Sequence, residues 1–376
     1  MANAGNTLPE GKGSSRNRVY RFIYGKKQTS RQEIAQALGM SMPTVLQNVK
    51  ELISRGLVCE LGQFASMGGR KAAILAPVGQ VRYALGLCFS RDYIDFVMAD
   101  LLGDIPFYRR VNRIFSKDPA YFAQLEATID AFVKESGVDP CRVLGAGVAL
   151  PAIFDRAGEN IFTSRTLGLT AVSCQMFSCH IPYRCVFVNE ANATGIAEMR
   201  ALGNPRQNYA YVTLSACLGG VVFIGGERYI GDTLRDAEFG HMRLHPGGKT
   251  CFCGQQGCVN SYLSASLLAD QAGGSLESFF QGVKENHPDY SKSWDTYLDE
   301  LALLVNNLRM VFDCKVILGG DLANYIAPYL DELHRRLARI NAFWMDIRYV
   351  QPCVQKVGAA ALGAALQLIE QFIIQI

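Results

Sequence analysis

At 376 residues the chain exceeds one ordinary core of ~100–200 residues, so two or three packed domains are expected. A composition of 49% hydrophobic and 19% charged residues can bury large cores, which excludes a disordered chain. The net charge of +3 divides unevenly: residues 1–80 carry eleven Lys and Arg against four Asp and Glu (+7), and residues 81–376 carry 26 against 30 (−4). That division predicts a small basic module facing a polyanion, attached to a larger domain with another task.

Met1 to Ser15 is polar and glycine-rich without an apolar core, so residues 1–13 are expected to be a loose tail and not a secretory signal. Next, Val19, Phe22 and Ile23, then Ile34, Ala35 and Leu38, then Val45, Val49, Leu52 and Ile53 recur at helical spacing, which predicts three amphipathic helices. Ser30 is placed to cap the second, with Glu33 completing a capping box; Gly39 ends it, and Ser41 with Pro43 opens the third. With the apolar stripe buried, Ser41, Thr44, Gln47, Asn48 and Lys50 are expected to face outward on a recognition helix, where such side chains read base edges in a major groove.

Leu57 to Cys59 and Ala73 to Leu75 read as short strands joined by a basic turn, the wing of a winged helix. Arg70 and Lys71 at its tip are placed to contact phosphates or enter a minor groove. Residues 14–76 thus predict a module for double-stranded DNA; its competing use is protein contact with the basic residues merely solvated. Pro77, Val78 and Gly79 mark a linker over residues 77–80.

From residue 81 an α/β domain is predicted. Residues 82–103 alternate as a hairpin; Arg142 to Leu150, Val186 to Val188, Tyr211 to Ile224 and Lys315 to Leu318 are strand-like, interspersed with helical patterns such as Tyr121 to Lys134 and Leu298 to Met310. The charge-free stretch from Gln207 to Gly226 suits strand-turn-strand better than a membrane helix, so no membrane insertion is expected. Twelve cysteines spread over a long chain without an export signal are expected to be mostly reduced thiols in a cytoplasmic protein.

The strongest chemical signal is His241 followed by Cys251, Cys253 and Cys258 on a glycine-rich segment. Three thiolates and one imidazole suit a closed, tetrahedral, structural Zn²⁺ site, with His245 as an alternative to His241. A second cluster, Cys174, Cys179, His180 and Cys185, is read as packing and not as a metal site.

Gly145 to Val148, Val188 to Ala193, Glu238 to Met242, the cysteine loop, Leu318 to Gly320 and Gly358 to Gly363 together resemble the ROK family of repressors and sugar kinases, over nearly the whole chain. The resemblance implies an N-terminal winged helix-turn-helix followed by an actin-like (ribonuclease H-like), two-lobed sugar-kinase-type domain. Lobe 1 would span about residues 81–190 plus the C-terminal helix, and lobe 2 about residues 191–355. It also implies zinc on His241, Cys251, Cys253 and Cys258, and the role of bacterial sugar-gene repressors of the N-acetylglucosamine and xylose type.

Family kinases open with a Gly-x-Asp-x-Gly-Gly-Thr phosphate turn, and Gly86 to Asp92 retains only its first glycine. The second phosphate turn, Ser215 to Gly220, keeps only its last two glycines. Catalysis is therefore not expected. In the sugar pocket the resemblance assigns Asn189, Glu190, Glu238 and His241, although Asn189 is equally suited to cap a helix and Glu190 to complement its dipole. Glu190 replaces the usual catalytic aspartate, and Asn260 stands where kinases carry a sugar-binding glutamate. The expected function is a DNA-binding regulator with a degenerate sugar-sensing domain, acting as a homodimer or homotetramer. The alternatives are an active ATP-dependent sugar kinase with a DNA-binding head, or a regulator controlled by a protein partner.

Overall fold

The computed structural model describes residues 14–63, 72–203, 207–343 and 348–376; the expected tail, residues 1–13, and the expected wing-tip contacts Arg70 and Lys71 lie outside them. Ser14, Ser30 and Ser41 each accept a hydrogen bond from the backbone N–H three residues on, starting α1 (Ser15–Lys26), α2 (Arg31–Leu38) and α3 (Met42–Ser54). The strands β1 (Val58–Gln63) and β2 (Ala73–Pro77) pair antiparallel, and Thr29 bridges to Leu75, closing the helices onto the hairpin.

The expected linker is a tight junction. Pro77 ends β2, Leu101 N donates to Gly79 O at 3.1 Å, and a Cβ on Gly79 would fall 2.2 Å from Asp100 Oδ2. Val19, Ile23, Val49 and Leu75 of the head join Ala84, Val97, Leu101 and Ile373 in one hydrophobic cluster.

Beyond the junction run β3 (Tyr83–Phe89), β4 (Tyr93–Asp100), β5 (Phe107–Asn112), α4 (Pro119–Glu135) and β6 (Val143–Leu150). A small antiparallel sheet follows, β7 (Ile153–Phe154), β8 (Asn160–Ser164) and β9 (Leu169–Ser173), then α5 (Gln175–Ser178), β10 (Cys185–Asn189) and α6 (Glu190–Leu202). The main sheet has the order β10-β6-β3-β4-β5, parallel between β3, β6 and β10 and antiparallel elsewhere. Strand alternation sends Leu85 and Leu87 to the face covered by Phe122, Leu125, Ile129 and Phe132 of α4, and Ala84 and Cys88 to the opposite face.

The second sheet contains β11 (Tyr209–Thr213), β12 (Gly219–Ile224), β13 (Glu227–Arg228), β14 (Lys315–Gly319) and β15 (Val350–Pro352), in the order β13-β12-β11-β14-β15. Between β13 and β14 lie α7 (Asn260–Leu263), α8 (Ser266–Ala269), α9 (Leu276–Lys284) and α10 (Pro288–Phe312); α11 (Ala323–Ile326) and α12 (Leu330–Ile340) precede β15. Arg336 of α12 is 9% exposed and binds Asp295 and Asp299 of α10, fastening the two helices. The last helix, α13 (Ala359–Gln375), packs on β3 and β6, because a Cβ on Gly86 would lie 2.1 Å from Ala361 O and one on Gly147 2.2 Å from Ala364 O.

Contacts divide the chain into Met1–Pro205 with Gly358–Ile376, and Arg206–Val357. The head and first lobe therefore belong to one unit, and the division falls later than the expected residue 190. Helix α6 stays with the first unit since α13 packs along it, where a Cβ on Gly363 would meet Ala193 O at 1.7 Å. Among the described residues no helix is long and apolar enough to cross a membrane.

Candidate DNA-reading head and metal centre

On α3, Ser41, Gln47 and Lys50 are exposed and Thr44 is half-buried, with its Oγ1 2.8 Å from Ser41 Oγ. Asn48 departs from expectation. It is 7% exposed, donates through Nδ2 to Thr44 O at 2.9 Å and meets Ser15 Oγ at 3.3 Å, so its amide joins α3 to α1 and faces away from solvent. Two residues not expected on the outer face are there: Met42 and Leu46 are 40% and 47% exposed.

In the second unit, the ligand atoms of His241, Cys251, Cys253 and Cys258 all lie within 4.8 Å of one another. The loop is folded back by Cys251 N donating to Gln255 O at 2.7 Å and Gly257 N to Lys249 O at 2.8 Å. Gly257 has φ +79°, and a Cβ there would lie 1.8 Å from His245 O, so this turn needs glycine on both counts. Cys253 and Cys258 sulfurs are 3.8 Å apart; a tetrahedral zinc with Zn–S of about 2.3 Å sets its sulfurs about 3.8 Å apart. Burial, then the neighbouring sulfurs, push the Cys258 thiol up to about 11, a cost that a bound dication reverses. The donor set and spacing fit zinc. Arg243 Nη1 sits 3.4 Å from Cys258 Sγ, an outer hydrogen bond of the kind that orients a ligand. His245, the alternative ligand, is instead 2.6 Å from Glu300 Oε2 and bears on the Tyr262 ring.

The cysteines of the second cluster differ in exposure, Cys185 being half-buried and Cys179 exposed. Cys174 is buried, with its thiol pushed up to about 12, chiefly by burial; His180 stacks on Phe122 at 5.0 Å, and Cys185 Sγ donates to Tyr183 O at 3.3 Å.

The sugar-pocket candidates distribute over both units. In the first, Asn189 caps α6 by accepting from Asn192 N at 3.1 Å while its Nδ2 donates to Ala152 O at 3.0 Å. Glu190 is the first residue of α6, and its carbonyl accepts from Thr194 Oγ1 at 2.8 Å. In the second, Glu238 immediately precedes the turn that carries His241, and burial with Asp236 nearby raises its carboxyl above the usual carboxylate range.

At the positions of the two phosphate turns the backbone is committed internally. Ser90 N donates to Tyr93 O at 2.9 Å, and the carbonyls of Arg91 and Asp92 accept from Phe115 N and Arg113 N. In the second unit, Leu218 N donates to Asn260 Oδ1 at 2.7 Å, and Asn260 itself is 4% exposed. A Cβ on Gly220 would meet the Phe239 ring at 2.2 Å, so this glycine admits an aromatic side chain.

The ROK family pattern matches residues 91–371, and a winged helix-turn-helix DNA-binding pattern matches residues 15–58. The xylose repressor of Bacillus subtilis (strain 168) is 29% identical over 246 residues, 64% of this chain; the match spans 62% of the repressor's length, less than two thirds. Among solved structures, a ROK family transcriptional regulator, a homologue of the E. coli MLC protein, superposes with TM-score 0.74 at 18% identity over 96% of both chains. A ROK family glucokinase from Streptomyces griseus, in complex with glucose and AMPPNP, superposes with TM-score 0.63 at 21% identity over 76% of this chain and 98% of that one. With a matching family pattern over most of its length and a winged helix-turn-helix before it, this chain belongs to the ROK family.

Proposed function

We propose that the chain is a DNA-binding transcriptional repressor of carbohydrate uptake or use genes, in which a ROK domain that no longer transfers phosphate senses a sugar or sugar derivative. The observation that carries this reading is a winged helix-turn-helix with a solvent-facing recognition helix built into the same unit as the first ROK lobe. The likeness to a xylose repressor supports the carbohydrate assignment. The +7 charge of residues 1–80 supports a DNA operator as partner, and that partner puts the protein's work in the cytoplasm.

Ser41, Thr44, Gln47 and Lys50, with Arg70 and Lys71 of the wing, are the proposed DNA contacts. His241, Cys251, Cys253 and Cys258 would hold a zinc ion that stiffens their loop, its four protein ligands leaving no open position for catalysis. Glu190, Glu238 and His241 are the proposed sugar contacts. Asn189 is retained among them as a positioning residue, because its amide is occupied at the start of α6. Phosphate transfer is disfavoured because Ser90 and Arg91 stand where phosphate would need glycine backbone, and Asp92 repels it. Reading two half-sites calls for a homodimer or homotetramer.

A mobility-shift titration with DNA upstream of the chain's own gene and neighbouring sugar genes tests the reading. Retention at low ionic strength, released or strengthened by one sugar in a panel, is expected. An ADP-release assay with the same sugars is expected to stay at background, and brisk turnover would refute the loss of phosphotransfer.

A further inference from the structure

The recognition helix carries an apolar flank that the core does not claim. On α3, Val45, Val49 and Leu52 are fully buried, whereas Met42 and Leu46, one turn apart, are 40% and 47% exposed. Gln47 and Lys50 lie beside them on the outer face, and neither is engaged by a hydrogen bond or ion pair among the described residues. Leu46, Gln47, Lys50 and Ile53 line one open hollow together with Arg31 of α2. The first turns of a recognition helix are the part that reaches base edges, and Met42, Leu46 and Gln47 occupy those turns.

Arg31 is paired with Glu60, and an exposed leucine and methionine beside the cation of Lys50 point to an anionic partner that also presents an apolar group. Duplex DNA does so in its major groove, where the thymine 5-methyl is the apolar feature of a base edge. From Met42 to Ser54 the helix contains no arginine, and its one guanine-pairing cation, Lys50, lies beyond the first turns, where the Gln47 amide matches the donor and acceptor of adenine. We propose that α3 reads thymine methyl groups through Leu46 and Met42, with Gln47 on an adenine, so that A·T pairs set the half-site beneath this helix. The proposal rests on the reading of the head as a DNA reader, and it adds which base pairs are read and by which side chains.

The test selects duplexes from a random library with the full-length protein at low ionic strength, then replaces each thymine of the enriched half-site with deoxyuridine. That replacement removes the 5-methyl and keeps the base pair, leaving the protein untouched. One or two positions are expected to weaken binding about four-fold each, the worth of one buried methyl. For Leu46→Ala the same replacement is expected to have no further effect, and Gln47→Ala is expected to relax the choice at a neighbouring adenine. A half-site indifferent to uracil throughout, or Leu46→Ala and Met42→Ala variants that both keep the full uracil penalty, would overturn the proposal while leaving the head a DNA reader. Failure to retain any duplex at low ionic strength would remove the reading of the head itself.

Discussion

Asn48 and Gln47 are adjacent amides with opposite uses. Helical spacing puts residue 48 at the border of the buried stripe, and only Ser15 of α1, which meets its Nδ2, decides that it turns inward. Asn48→Ala removes a buried amide that joins two helices and leaves Thr44 O without its Nδ2 donor, so a loss of about 1–3 kcal/mol is expected. Thermal unfolding measures that loss, and the DNA sequence selected by the surviving folded protein should be unchanged. The proposed metal ligands show the same limit of local reading. Cys251, Cys253 and Cys258 are legible from spacing, but choosing His241 over His245 needs Glu300, 55 residues away, which takes the His245 imidazole. Cys253→Ser is expected to lower zinc from about one ion per chain to a small fraction, because a hard hydroxyl replaces a soft thiolate. His245→Ala, in contrast, should keep the ion; metal analysis of the two purified variants compares them directly.

Helices and the central strands announce themselves by period, whereas elements held by distant charges do not. Strand β5 reads as polar in sequence, with Arg109 and Arg110 in its middle. Its place at the sheet edge depends on Asp95 of β4, whose two oxygens take Arg110 at 2.7 Å each while the guanidinium lies 3.7 Å over the Tyr93 ring. The close of α13 is equally non-local. The last carbonyls of any helix lack partners within it, and here they are met from α1: Asn17 Nδ2 donates to Ile373 O at 2.6 Å, and Arg16 Nε to Ile376 O at 2.7 Å. Asn17 is 3% exposed, so Asn17→Ala should cost about 1–3 kcal/mol in the unfolding of the first unit. Amide hydrogen exchange is expected to quicken at two places far apart in sequence, α1 and the end of α13. Loss of protection in α1 alone would mean that the head is held by its own core and not by this contact.

On the scale of the molecule, the succession of winged helix and ROK domain is legible from charge, period and motif, but the boundary within the ROK domain is not. A helix following a strand can pack on its own sheet or lead into the next lobe, and what decides for α6 is Gly363 admitting Ala193 of that helix beside α13. The consequence is a strut inside the first unit. Helix α6 starts at Glu190, a proposed effector contact, and ten residues on carries Arg200, whose guanidinium lies 5.3 Å over Tyr24 of α1 and donates through Nε to Leu102 O at 3.1 Å. Ten residues of helix span about 15 Å, and any ligand that favours one position of the α6 start must move or strain the Tyr24 contact at its other end. Arg200→Ala is therefore expected to keep operator affinity within a few-fold while abolishing most of the effector's influence on it, because it cuts the connection and leaves both binding surfaces intact. Anisotropy titrations of labelled operator, with and without the effector sugar, measure that coupling as a ratio of dissociation constants. Tyr24→Phe, which removes the hydroxyl bound to Leu101 O and to Arg200 but keeps the ring beneath the guanidinium, should retain more of the ratio. Equal ratios in Arg200→Ala and the unmodified chain would rule α6 out as the route.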